Sequence, residues 1–200
     1  MLSEFQVFLR LGFEHIADFQ GYDHILFVVA LCVGYEPRHW RKLLILVTAF
    51  TIGHSITLAL ATLRLISIND ALVEFLIPLT ILITGVLNIV SSSPVESGSV
   101  EGKGIRGLKY LLALGFGLIH GMGFSNFLRS LLGQEEGIAL PLFSFNVGLE
   151  LGQIFIVVSV LALTFFMVRV VRMRRHDWIL VLSGATAGVA VILMVERLVT

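Results

Sequence analysis

Hydrophobic residues gather along the chain in long runs separated by short polar segments. Residues 2–19 differ from the rest. Phe5, Phe8, Leu9, Phe13 and Ile16 recur near helical spacing, with Glu4, Arg10, Glu14 and Asp18 on the remaining face. That pattern predicts an amphipathic helix lying at a membrane surface or capping a bundle. Apolar runs follow at about 21–35, 42–64, 71–91, 107–132, 140–171 and 178–196. Runs near or above about 18 residues are long enough to cross a bilayer as helices. The first is short and aromatic-rich, and Pro37, a basic cluster and Trp40 end it. The fifth is longer than one straight span requires, which predicts a bent or tilted helix. No ten-residue alternation is present, so a β-barrel is excluded. The polar segment 91–106, rich in Ser, Gly and Pro, reads as a loop between halves of three spans each, with no clear internal repeat. The expected fold is all-α: one membrane domain of about six transmembrane helices plus an N-terminal amphipathic helix.

Composition strengthens this reading. Of 200 residues, 56% are hydrophobic and 14% charged, with a mean hydropathy of +0.94; an average soluble domain carries about 25% charged residues. Fourteen basic residues balance 14 acidic ones, so no nucleic-acid partner is expected. The bilayer itself is the expected surrounding. Cys32 is the only cysteine and reads as core filler. The basic residues are unevenly spread. With the N-terminus outside, Arg38, Arg41, Lys42, Lys103, Arg106, Lys109, Arg169, Arg172, Arg174 and Arg175 lie inside. Only Arg10, Arg64, Arg129 and Arg197 then lie outside, so the positive-inside rule places both termini outside.

Ionisable residues within the apolar runs are costly to bury and call for a role. Asp23 and His24 open the first run in Gly21-Tyr22-Asp23-His24-Ile25-Leu26-Phe27. His54 lies in the second run, Glu74 near the start of the third, His120 among glycines in the fourth, and Asn146 and Glu150 in the fifth. His15 and Asp18 lie just upstream of the first. At about 1.5 Å per residue, all of these fall in the outer half of the bundle. Asn146, Glu150 and Gln153 share one helical face, as do Thr51, His54 and Ser55. Gly117-x-x-x-Gly121 and Gly148-x-x-x-Gly152 are small-residue patterns that let helices cross closely. Ordinary structural roles compete at several positions: a helix cap for Asp23, a helix-start acid for Glu74, interhelical hydrogen bonds for His54 and His120. Glu150 has the weakest such explanation. Imidazoles with carboxylates suit a divalent transition metal better than calcium or magnesium. The expected ligands are Asp23, His24, His54, His120 and Glu150, supported by His15, Asp18, Ser55, Glu74 and Asn146.

Four blocks, taken together, resemble the HupE/UreJ family of hydrogenase- and urease-accessory membrane proteins. They are Glu14-His15-Ile16 with Gly21-Tyr22-Asp23-His24; Thr51-Ile52-Gly53-His54-Ser55; Gly117-Leu118-Ile119-His120-Gly121-Met122-Gly123-Phe124; and Phe145-Asn146-Val147-Gly148-Leu149-Glu150. The resemblance implies a bacterial inner-membrane protein of the nickel/cobalt permease type, with His and Asp residues binding the ion in transit. Ile16 stands where the family's better-known pattern has a proline, and the spacer to Gly21 is longer, as in a divergent branch.

The leading expectation is therefore a permease for nickel or cobalt, the ion being cargo. Thr80, Thr84 and Asn88 form the onward polar stripe. The alternative is an intramembrane hydrolase or acyltransferase in which imidazoles hold zinc and Asp23 or Glu150 is the general base. Haem held between His54 and His120 is a third reading, in which Glu150 has no place.

Overall fold

The computed structural model describes residues 3–18, 21–66, 69–92, 103–132 and 137–199, with backbone alone for 103–108 and 132. Most of the expected loop, and Glu135-Glu136, lie outside the described residues. Within them the chain is helical: α1 (Glu4–Ile16), α2 (Asp23–Cys32), α3 (Trp40–Thr62), α4 (Asp70–Ser91), α5 (Lys103–Gly123), α6 (Ser125–Leu132), α7 (Ala139–Phe165) and α8 (Arg175–Val199).

Local chemistry sets several of the ends. Ser3 and Gln6 form a reciprocal capping box at the start of α1, through bonds of 3.3 and 3.0 Å. Asn69 caps α4 by accepting from the Ala71 amide at 2.9 Å. Pro37 opens a short 3-10 turn that leads into α3. A π-helical turn, Phe166–Val170, ends the long α7.

Three helix pairs build the bundle: α3 with α5, α1 with α7, and α4 with α8. The first two are backbone-to-backbone contacts at glycines. A Cβ on Gly53 would overlap the Leu114 carbonyl, and one on Gly117 the Phe50 carbonyl. In the other pair, a Cβ on Gly12 would overlap the Phe145 carbonyl, and one on Gly148 the Leu9 carbonyl. Contacts advance in step along both partners, so α3 runs parallel to α5 and α1 parallel to α7. The pair α4/α8 is antiparallel: Glu74 meets Arg197 at one end and Ser92 meets His176 at the other. Between the pairs lie buried Phe27, Phe50 and Ile81, and a larger cluster that includes Ile16, Phe145 and Leu149.

Two expectations need revision. Of the two alternatives for the N-terminal helix, a free surface position does not hold; its stripe of Phe8, Gly12 and Ile16 is buried against α7. Nor is 21–35 one span. Its helix has 10 residues, about 15 Å, which is half the hydrocarbon thickness of about 30 Å. Among the described residues, four helices are long and apolar enough to cross a membrane: Pro37–Thr62, Asp70–Ser91, Ala139–Val170 and Arg175–Val199. A fifth crossing is reached if Lys109–Gly123 and Ser125–Leu131, bent by 48° at Phe124, count as one.

The glycine crossings predict a graded mutational response. Gly148→Ala should destabilise the protein by roughly 1–3 kcal/mol, since the backbones must separate. Gly188→Ala, with nothing within 4 Å of the added carbon, should not. Thermal unfolding of both variants in detergent checks this; equal losses would count against the close crossing.

Candidate metal centre

Four histidines meet inside the bundle. His15 comes from the last turn of α1, and the chain then breaks and restarts at α2, which presents His24 in its first turn. His54 lies in α3, and His120 near the end of α5. The glycine crossing explains the last pairing: Gly117 and Gly121 seat α5 directly on the backbone of Phe50 and His54. Ring centroids lie 4.6 Å apart for His15–His24, 5.0 Å for His24–His120, 5.9 Å for His15–His54 and 6.0 Å for His24–His54. His54 and His120 are 0% and 1% exposed.

His15, His24 and His54 each offer a ring nitrogen within 4.8 Å of the other two. The centre of a triangle no larger than that lies at most about 2.8 Å from each corner, against zinc–imidazole bonds of about 2.1 Å. Small side-chain rotations close the difference. The nitrogens also lack other work. Among the described residues, Nε2 of His15 and His24, both ring nitrogens of His54 and Nδ1 of His120 are buried without a hydrogen-bond partner. Buried polar atoms are normally paired, so this concentration makes the cluster a candidate ligand position. His120 Nε2 lies 3.0 Å from Thr80 Oγ1, which fixes its ring.

Aromatic rings wall the cluster. Phe124 stands 3.9 Å from His15 between centroids, and Phe27 and Phe50 each 5.2 Å from His120. Phe145 stands 6.4 Å from His54.

The other expected residues are distributed around this core. Asp23 begins α2 beside His24, within electrostatic reach of Arg197 and Glu74. It makes no side-chain cap, and the residue before the helix is Tyr22. Glu150 accepts from Thr48 Oγ1 at 2.8 Å, and Gln153 from Thr51 at 2.7 Å, so a polar strip joins α3 to α7. Neither carboxylate belongs to the compact ligand group found among the described residues. Ser55 donates to the Thr51 carbonyl and Asn146 to the Leu142 carbonyl, each within its own helix. Glu74 is paired with Arg197 at 3.1 Å. Asp18 is exposed. The sequence reading did not single out the phenylalanine wall, nor Thr80 as the partner of His120. The phenylalanine of Phe50-x-x-Gly53-His54 was the available signal.

The profile of the HupE / UreJ protein family matches residues 1–197. This chain belongs to the HupE/UreJ family. Its apolar helices make it a membrane protein, and the family supports a metal-related accessory or transport role there. No curated protein and no solved structure matches the chain. Among the described residues of this HupE/UreJ chain, the imidazole cluster is the group whose ligand atoms lie close enough together to hold a metal ion.

Isothermal titration of purified protein with nickel, cobalt or zinc should reveal one intramembrane site. His24→Ala and His54→Ala should each weaken it by at least about tenfold, the lower range for disturbing even an outer partner of a metal ligand. Unchanged affinity in both would remove the cluster as the site.

Proposed function

We propose that the protein is a permease for a divalent transition metal of the nickel or cobalt type, with His15, His24 and His54 holding the ion in transit. The observation that carries this is the make-up of the ligand group found among the described residues: three imidazoles, two of them buried and His15 half-buried, with no carboxylate. Neutral imidazoles leave a bound divalent cation with its full charge in apolar surroundings, which is expensive. A transported ion must be able to leave, and no buried carboxylate in this group holds it back. Three imidazoles can also hold a catalytic zinc, so exchange and uptake of the ion separate the two readings; Asp23 directly precedes His24.

In this reading α1 and α2 together form one broken crossing, giving six in all, with both termini outside. The break falls at the histidines, as in transporters whose discontinuous helices hold the substrate. Asp23 and His24 receive the ion from outside. Onward movement follows His120 and Thr80 to Thr84, whose hydroxyl bonds the Thr80 carbonyl at 2.8 Å. Asn88 comes one turn later, donating to the Ala30 carbonyl at 2.6 Å. Thr84 and Asn88 open on a cavity of about 550 Å³ at the cytoplasmic end. The stacked Phe27 and Phe50, 4.9 Å apart, with Phe116 at 5.9 Å from Phe27, separate that cavity from the cluster. Its rim carries Lys42, Lys109 and Arg175, so a free cation is not retained there.

Uptake of labelled nickel or cobalt into proteoliposomes tests the proposal. His54→Ala should abolish uptake, and Glu14→Gln, in an exposed ion pair with Arg10, should leave it intact. A stoichiometric zinc that never exchanges, with no uptake, would instead indicate the hydrolase.

A further inference from the structure

The glycine contacts contain a correspondence between the two halves of the chain. A Cβ on Gly12 would meet the Phe145 carbonyl and the Leu149 amide; one on Gly117 would meet the Phe50 carbonyl and the His54 amide. A Cβ on Gly148 would meet the Leu9 carbonyl and the Phe13 amide; one on Gly53 would meet the Leu114 carbonyl and the Leu118 amide. Leu9 precedes Gly12 by three residues, and Leu114 precedes Gly117 by three. The pair α1/α7 thus repeats the pair α5/α3, atom for atom at the crossing. One turn further on the sizes are exchanged: the Ile16 side chain lies against Gly152, and the Thr57 hydroxyl against Gly121.

The third pair closes the pattern. Gly85 of α4 packs on Ala187 of α8, the centre of an antiparallel crossing. Under the correspondence His15 matches His120, and both first helices break just beyond it. The helix α1 ends at Ile16, and α5 bends by 48° after Gly123.

We infer that the chain is an inverted repeat, α1–α4 and α5–α8, and that it contains a second, closed cavity matching the open one at the opposite end. Copies that run antiparallel, as α4 and α8 do, are related by an axis across the helices, which here lies in the membrane plane. The axis passes between Gly85 and Ala187 and near His24, which sits between His15 and His120. The open cavity is lined by Thr84, Asn88, Ala113 and Ile179. Counted from the matched crossings, their counterparts are Thr186, Ala190, Phe8 and Ile77. All four are buried, Thr186 at 2% exposed and Ala190 at 0%. Thr84 and Ala113 are themselves buried, so the contrast lies in the other two pairs: Asn88 and Ile179 are half-buried, whereas Ala190 and Ile77 are buried. At those two matched positions the construction is open at one end and packed at the other. Inverted repeats exchange such conformations, so the alternate state opens beside Thr186 and Ala190, toward the end marked by Glu74 and Arg197. As an access route for the ion this rests on the permease reading; as a conformational change it requires no cargo.

The test is thiol accessibility in a Cys32→Ala background, using a membrane-impermeant maleimide on sealed vesicles of known orientation, in metal-free buffer. Asn88→Cys should label from one face only. Thr186→Cys and Ala190→Cys should label from the opposite face, at roughly 0.1–10% of that rate, as for a minor state in equilibrium. Leu149→Cys, fully buried and in neither cavity, sets the background. Labelling of both new positions no faster than Leu149→Cys, or from the same face as Asn88→Cys, overturns the inference. Opposite-face labelling in a protein that neither binds nor takes up metal would keep the repeat and remove the permease.

Discussion

Direct contact between helix backbones at glycine is the constraint on which this bundle depends. Lipid tails are as apolar as leucine, so helices inside a membrane gain little by hiding apolar surface from one another. What holds them is close packing, and at Gly12, Gly53, Gly117 and Gly148 no side chain would fit. Each crossing also has a chemical result. Seating α5 on Phe50 and His54 brings His120 inward, and seating α1 on Phe145 and Leu149 brings in His15. The cluster is a by-product of two identical joints rather than of one continuous pocket-forming segment.

The cluster works through what it lacks. Phenylalanine rings line it, and among the described residues five of its ring nitrogens are buried and unspent on hydrogen bonds. Carboxylates stand beside it rather than in it. Asp23 is engaged electrostatically with Arg197 and Glu74, and Glu150 with the Thr48 hydroxyl. A multi-imidazole group of this kind would hold a cation through ligand bonds while giving it little charge compensation.

Much of the helical architecture was legible in the apolar runs, since length and hydropathy report membrane spans directly. Helix ends were less so. An apolar run from 21 to 35 says nothing about where hydrogen bonding stops, and the helix there stops at Cys32. The stripe of Phe8, Gly12 and Ile16 read as a surface face because amphipathicity does not distinguish lipid from a neighbouring helix; the glycine within it was the distinguishing sign. His24, His54 and His120 stood out by the cost of burying them. His15 did not, because only the chain break after α1 folds it inward. The relation between the halves was hidden for a different reason. It is kept in which backbone atoms touch, while the residues exchange sizes, Ile16 and Gly152 in one copy against Gly121 and Thr57 in the other.

The pairing of α1 with α7 has a consequence for how the protein is made. The helix that carries His15 is made well before its seat, from Phe145 to Gly152, with helices α2 to α6 between them. At roughly 5–20 residues per second, α1 waits on the order of ten seconds or more for its partner. Until then His15 cannot join His24 and His54. The group of imidazoles is therefore incomplete until α7 has been made.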